Sequence, residues 1–278
     1  MEHAFETVVN PDPAPLVIAK GSHREIGQQI GEAVRPGIQH SIESARALLQ
    51  SAEPSLRLTW DGAQIQAQKY TPFILERYPQ YYEELVGMSQ GANVPMEDLL
   101  VLNSMEAVTS DALHLTKCTS LAVNQECSLE QHVLVGHNED WLPEDEPDVY
   151  LVHVSPDDEP PFLAMTYGGL LPNIGFNSYG IAQCCDSVYA KDSRIGIPRI
   201  IVSRAVLGVH TPGEAIRQTL APQRAAGYNH LLATESGELY NVEVSAHHFA
   251  VLHSPDGRIV HTNHYLDSHM QTIEDEPD

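Results

Sequence analysis

The sequence predicts an α+β domain in which helices and antiparallel β-sheets pack as layers. Up to about residue 110, apolar residues recur at helical spacing. After residue 117 the grain changes to short β-rich runs divided by turns. One further helical block, at about 197–220, precedes a last set of strands.

The first helix is announced by Ser22 and Glu25, which have the spacing of a capping box. Ile26, Ile30, Val34, Ile38 and Ile42 then recur every four residues as one helical stripe, which Pro36 should bend or interrupt. A second helical region covers about 61–78, with Ile65, Tyr70, Ile74 and Leu75 as its apolar candidates. "YPQYYEELVGMSQGANV" reads as a third helix that ends near Gly91, and Pro95 suits the first turn of a fourth.

Strands are expected at Thr119–Asn124, His132–His137, Val149–Ser155, Pro161–Tyr167 and 179–186. In the block at 197–220, Thr211, Pro212 and Glu214 read as a cap, a first-turn proline and an acidic first turn. Strands at 229–234, 238–245 and 258–263 close the series, and the acidic "IEDEPD" reads as a solvated tail.

Composition narrows the function classes. A chain of 278 residues with 42% hydrophobic residues can bury a large core. The net charge of −23 argues against nucleic-acid partners, which need clustered Lys and Arg, and against anionic membranes. Neither an apolar run long enough to span a bilayer nor a secretory leader is found. The four cysteines, Cys118, Cys127, Cys184 and Cys185, lack a paired framework, so reduced thiols and a cytoplasmic location are expected.

Several residues could carry chemistry. Cys118 opens a strand directly after Lys117, as a nucleophile at a strand edge or as a small buried hydrophobe. In "GHNEDW" Asp140 and Glu139 could orient a base or satisfy a turn, and "GFNSYG" places Asn177 in a β-turn. In "HTNHYL" strand alternation sends His261 and Asn263 one way, Thr262 and His264 the other. Asn263 is an oxyanion donor or a buried amide. The His247, His248, His261 and His264 spacings match no metal signature, so no metal is expected. No P-loop, G-x-G-x-x-G or G-x-S-x-G motif occurs.

Taken in order, "EIGQQIGEA", "YPQYYEELVGMSQGA", "EDLLVLNSMEA", "KCTSLAV", "GHNEDW", "GFNSYGIA" and "GRIVHTNH" resemble the acyl-coenzyme A:6-aminopenicillanic acid acyltransferases. These are autoprocessing N-terminal-nucleophile (Ntn) cysteine hydrolases. The run from "PPFLAMTYGG" to "IPRIIVSRAVL" is similar also to the related β-alanyl-amine hydrolases.

The resemblance implies an αββα sandwich of two antiparallel sheets flanked by helices. Residues 1–117 would be the pro-segment or small α subunit and 118–278 the β subunit, both from one precursor and together one domain. It implies self-cleavage at Lys117–Cys118, with Cys118 as nucleophile, its freed α-amine as base, Asp140 holding that amine and Asn263 stabilising the oxyanion. Asp186, Tyr189 and Asn177 become substrate-binding candidates, Asp186 as an attractor of an amine. The expected function is that of an amidohydrolase or acyltransferase on small N-acyl amines or acyl-thioesters. No cofactor is implied beyond a coenzyme A thioester as an acyl donor, and a homo-oligomer is compatible.

Two departures stand out. Lys117 occupies the place where the family usually has glycine, and the family's functional arginine falls further beyond "HTNH" than this chain extends. They give weight to one alternative, an inactive, unprocessed Ntn-like binding protein, while the "PPFLAMTYGG" to "IPRIIVSRAVL" run supports another, a β-alanyl-amine hydrolase.

Overall fold

The computed structural model describes residues 14–109 and 117–275. An opening strand β1 (Leu16–Gly21) leads into α1 (His23–Ala33) and α2 (Arg35–Leu56). The capping box is formed: Ser22 accepts from the Glu25 amide, and the Glu25 carboxylate accepts from the Ser22 amide. α1 stops just before Arg35-Pro36, so the proline opens the second helix and the expected interruption is there. Ile26, Ile30, Ile38 and Ile42 are buried along the stripe.

The helical region expected at 61–78 is two helices, α3 (Trp60–Gln68) and α4 (Thr71–Arg77), with Pro72 in the first turn of α4. α5 (Pro79–Ala92) ends on Asn93, whose φ of 56° is the left-handed C-terminal turn. α6 (Met96–Leu102) takes Pro95 as its cap, and α7 (Met105–Val108) follows.

α1 and α5 pack backbone to backbone through glycines. A Cβ on Gly27 would lie 1.8 Å from the Glu84 carbonyl oxygen, and one on Gly87 2.0 Å from that of Arg24. Only glycine permits this approach.

β2 (Lys117–Val123) and β3 (Leu134–Asp140) come next, then a 3₁₀ turn (Pro143–Asp148) and β4 (Val149–Pro156), β5 (Phe162–Tyr167), β6 (Ile174–Asn177) and β7 (Ile181–Asp186). Two helices, α8 (Arg199–Leu207) and α9 (Pro212–Thr219), precede β8 (Tyr228–Thr234), β9 (Leu239–Val244), β10 (Phe249–His253) and β11 (Arg258–His261). A short 3₁₀ turn, Met270–Ile273, lies near the end. Strands β1, β6 and β10 are additions to the sequence reading.

The strands form an eight-stranded sheet, β1-β4-β5-β6-β7-β8-β9-β10, and a three-stranded sheet, β11-β2-β3. All neighbours are antiparallel except the edge strand β1, which joins β4 in parallel. The small sheet packs on one face of the large one, through β2 and β3 on β7 and β11 on β9, while α8 and α9 pack against the large sheet. The two facing sheets, with helices against the large one, bear out the expected α+β class. Among the described residues the outer face of the small sheet is open, with Leu121 and Val260 exposed.

One apolar core joins side chains from before and after Lys117, from Ile26 and Leu85 to Val152, Phe162 and Ile201. All four cysteines are free. No helix among the described residues is long and apolar enough to cross a membrane.

A buried ionic knot pins α1, α5 and α8 together. Arg204, fully buried between the rings of Tyr81 and Phe162, pairs with Glu84 at 3.0 Å and Glu159 at 3.2 Å. Burial alone would raise the Glu84 carboxyl, but the Arg204 charge and the His23 hydrogen bond outweigh it, and the net shift is downward. A lowered folded-state value gives stability that is present above the ordinary glutamate range and lost as pH falls through the folded value. Glu84→Gln is expected to cost up to about 3–5 kcal/mol at neutral pH, because it leaves the buried guanidinium with Glu159 as its remaining charged partner. It should also flatten the loss of stability below about pH 4.3. Urea unfolding of both proteins across pH 3–7 checks this.

Candidate active site

Strand alternation in "KCTSLAV" decides what the site contains. Cys118, Ser120 and Ala122 are buried toward the large sheet, and Lys117 and Leu121 are exposed. The register with β3 sets Glu139 opposite Cys118 and His137 opposite Ser120, while β11 sets His261 opposite Ser120 on the other side.

The cysteine is held at three points. Its backbone N–H donates to Asn263 Oδ1 at 2.7 Å, and Asn263 Nδ2 donates to the Ser187 carbonyl at 2.8 Å. Its Sγ donates to Glu139 Oε2 at 3.7 Å, and the Ser187 N–H points back at the sulfur. Burial pushes the thiol up strongly, and the neighbouring Glu139 charge adds to this more than the Ser187 amide subtracts. In the continuous chain the sulfur is therefore a thiol, and an acceptor for its proton is needed to make it a nucleophile.

The carboxylate that faces the sulfur is the first member of a hydrogen-bonded chain. Glu139 Oε2 lies 3.0 Å from His137 Nε2, and His137 Nδ1 lies 2.9 Å from Ser120 Oγ. Ser120 Oγ donates to Asp186 Oδ1 at 2.8 Å, and Asp186 Oδ2 accepts from Asn229 Nδ2 at 2.9 Å. His261 Nε2, 2.8 Å from Glu243, and His261 Nδ1, 3.7 Å from Asp186, extend it behind the small sheet. Burial raises the Asp186 carboxyl, and the Asn229 and Ser120 hydrogen bonds pull part of that back.

A cavity of about 50 Å³ opens beside this cluster, lined among others by Glu139, Ser187, Tyr228, Trp141, Tyr167 and Glu106. Arg199 ties the cavity to Ser187, beside Cys118. It pairs with Glu106, donates to Ser187 Oγ at 3.1 Å and lies over the Tyr228 ring at 4.7 Å.

The structure thus brings Cys118 and Asn263 into direct contact across 145 residues of sequence. Lys117 immediately precedes them, exposed, with residues 110–116 outside the described region. Asp140 is the register partner of Lys117, exposed on the opposite side of β3 from the sulfur, so the acid facing Cys118 is Glu139. Asp186 is fully buried with both oxygens engaged, so it braces Ser120 and does not face the cavity.

Asn177 sits away from the cluster. Its Nδ2 donates to the Leu207 and Val209 carbonyls and its Oδ1 accepts from the Tyr179 and Ile181 amides, which fixes the β6–β7 turn to α8. Tyr189 is buried with its carbonyl accepting the Asp275 amide, and the tyrosines on the cavity wall are Tyr167 and Tyr228. Sequence reading passed over His137, Ser120, Ser187 and Arg199. For His137 and Ser120 the signal was available in the alternation of two strands, once their register is known.

A model of the acyl-coenzyme A:6-aminopenicillanic acid acyl-transferase family matches residues 126–277, more than half of the chain. The 40 kDa form of acyl-coenzyme A:6-aminopenicillanic-acid-acyltransferase from Emericella nidulans is 25% identical over 255 residues, 91% of this chain and 70% of that protein. The β-alanyl-dopamine/carcinine hydrolase of Drosophila melanogaster is 27% identical over 224 residues, 73% of this chain. This chain spans just 56% of that relative's length. Among solved structures, penicillin V acylase from Agrobacterium tumefaciens aligns with a TM-score of 0.30 and 13% identity, over 52% of this chain and 44% of that one.

Proposed function

The chain belongs to the acyl-coenzyme A:6-aminopenicillanic acid acyl-transferase family, and from that premise we propose that it is an Ntn cysteine amidohydrolase or acyltransferase with Cys118 as its nucleophile. The observation that carries this is the triple hold on Cys118: Asn263 on its amide, Ser187 and Glu139 on its sulfur.

The maturation step follows from that placement. Cys118 gives its thiol proton to Glu139, and Sγ attacks the Lys117 carbonyl carbon. The Lys117–Cys118 C–N bond then breaks, and the departing nitrogen takes a proton to become the free α-amine of Cys118. Water hydrolyses the resulting thioester, which leaves a carboxylate on Lys117 and restores the thiol. The new amine, with a reference pKa of about 7.7–8.0, then serves as base at neutral pH. In turnover the acyl group passes from a substrate amide or thioester to Sγ and from there to water or to an amine. The second Nδ2 hydrogen of Asn263, whose first is on the Ser187 carbonyl, and the Ser187 amide are the donors we assign to the oxyanion, and one such donor is worth about 3–4 kcal/mol in other enzymes.

In this mechanism the proton-accepting role in the uncut chain goes to Glu139. Asp140, beside Lys117 in the register, is left to the amine released there. The cavity also bears on the substrate. Aromatic walls with Glu139 among them, Glu106 being paired with Arg199, suit a small amine-bearing acyl group, which favours a β-alanyl amine as the second reading.

Incubation with a panel of N-acyl amines and acyl-thioesters, quenched in acid and read by mass spectrometry, tests this. A mass increase equal to the acyl group on the peptide that carries Cys118 is expected. Binding of panel members with no acylated cysteine and no product would instead indicate a binding protein that keeps the pocket.

A further inference from the structure

A second cluster of donors lies on the far side of the cavity wall, where α2 meets the 3₁₀ turn Pro143–Asp148. One donor atom from each of His40, Asp145 and Asp148 lies within 4.8 Å of the other two. His40 Nδ1 is 2.6 Å from Asp148 Oδ2, and the Ser41 hydroxyl donates to that same oxygen at 3.4 Å. Asp145 is 5% exposed, and its Oδ2 accepts from the Trp141 indole. Its other oxygen, Oδ1, is buried with no hydrogen-bond partner among the described residues. An unpaired carboxylate oxygen out of water costs several kcal/mol unless a cation or a donor meets it.

We infer that His40, Asp145 and Asp148 form a binding site for a first-row divalent cation such as Mn²⁺ or Zn²⁺. Two carboxylates and an imidazole are the donor chemistry these ions take. Ligand atoms about 2.0–2.2 Å from one ion are roughly 3–4.4 Å apart, so only a small contraction is needed. The His40–Asp148 hydrogen bond would be exchanged for two bonds to the ion. His40 is half-exposed and leaves room for water to complete the coordination. The ion would join α2 to the segment carrying Trp141 and Asp145 on the cavity wall, two stretches on opposite sides of Lys117–Cys118 in the sequence. No spacing motif announces such a site, because its ligands are 105 and 108 residues apart from His40 in sequence.

Mn²⁺ titration of EDTA-stripped protein, followed by the paramagnetic resonance signal of free Mn²⁺, tests the site. The measurement is made on wild type and on Cys118→Ala, which disables the other donor trio, Cys118, His137 and Glu139. One ion per chain is expected in both proteins, with the affinity weakened at least tenfold by Asp145→Asn and by Asp148→Asn. Asp145→Asn keeps an acceptor for Trp141, and circular dichroism confirms its fold. Mn²⁺ should also raise the melting temperature of wild type and not that of Asp145→Asn. If either aspartate variant fails to fold, His40→Ala, on the exposed side, replaces it with the same expected loss. No saturable site, or an affinity unchanged in these variants, overturns the inference.

Discussion

Replacing Cys118 with alanine is expected to abolish acyl transfer and to leave the chain uncut. In other covalent hydrolases, loss of the nucleophile lowers turnover by roughly 10⁶-fold, and no other thiol here can substitute. Cys184 and Cys185 are buried on opposite faces of β7, Cys185 against Ser203 of α8, and burial raises both thiols. Cys127 lies on a turn beyond β2, bonded to the Asp256 carbonyl. The packing loss at Cys118 is small, since alanine fills most of the same buried space, so the melting temperature should move little. Cleavage at Lys117–Cys118 in the alanine variant would mean that the sulfur does not drive the cut.

Glu139→Gln is expected to slow maturation by about 10²–10⁴-fold, the usual worth of a positioned proton acceptor, and turnover, where the α-amine is the base, by less. The amide keeps the shape and can still meet His137, yet it cannot take a proton from Sγ 3.7 Å away. Because the thiol is held high by burial and by the Glu139 charge, removing that charge should also lower the pH at which the sulfur ionises. The variant should therefore regain rate as pH rises, which gives its pH–rate profile a steeper alkaline limb than wild type. A purely structural role for Glu139 would move stability and leave the profile's shape alone. Asp140→Asn, measured in parallel, should change the initial cut less than Glu139→Gln, because Asp140 faces away from the sulfur.

Much of the fold was legible because its determinants are local. The Ser22–Glu25 capping box, the isoleucine stripe of α1 and α2, and Thr211-Pro212 at the start of α9 each act within a few residues. The strands that escaped notice lack such signals. β6 has four residues and was read as a turn around Asn177, and β10 is an edge strand with Phe249 and Val251 exposed, so it shows no clean apolar face. β1 follows a proline-rich start and is recruited by pairing with β4, 135 residues away in register.

The site divides in the same way. Cys118 and Asn263 could be named from the family landmarks, although nothing local brings residues 145 apart within hydrogen-bond distance. The choice between Glu139 and Asp140 depends on one step of β-register, which adjacent carboxylates in "GHNEDW" cannot reveal. Asp186 is read from the family landmarks as an attractor of an amine, whereas its environment, with Ser120 and Asn229 on its oxygens, is set by three strands at once.

Intact-mass analysis of the purified wild-type chain, repeated over a long incubation at neutral pH, tests the central claim most directly. Two fragments that meet at Lys117–Cys118 are expected, the second beginning with a free cysteine amine that Edman degradation can read. A single species of 30.7 kDa that persists unchanged would contradict Cys118 as a self-liberating N-terminal nucleophile.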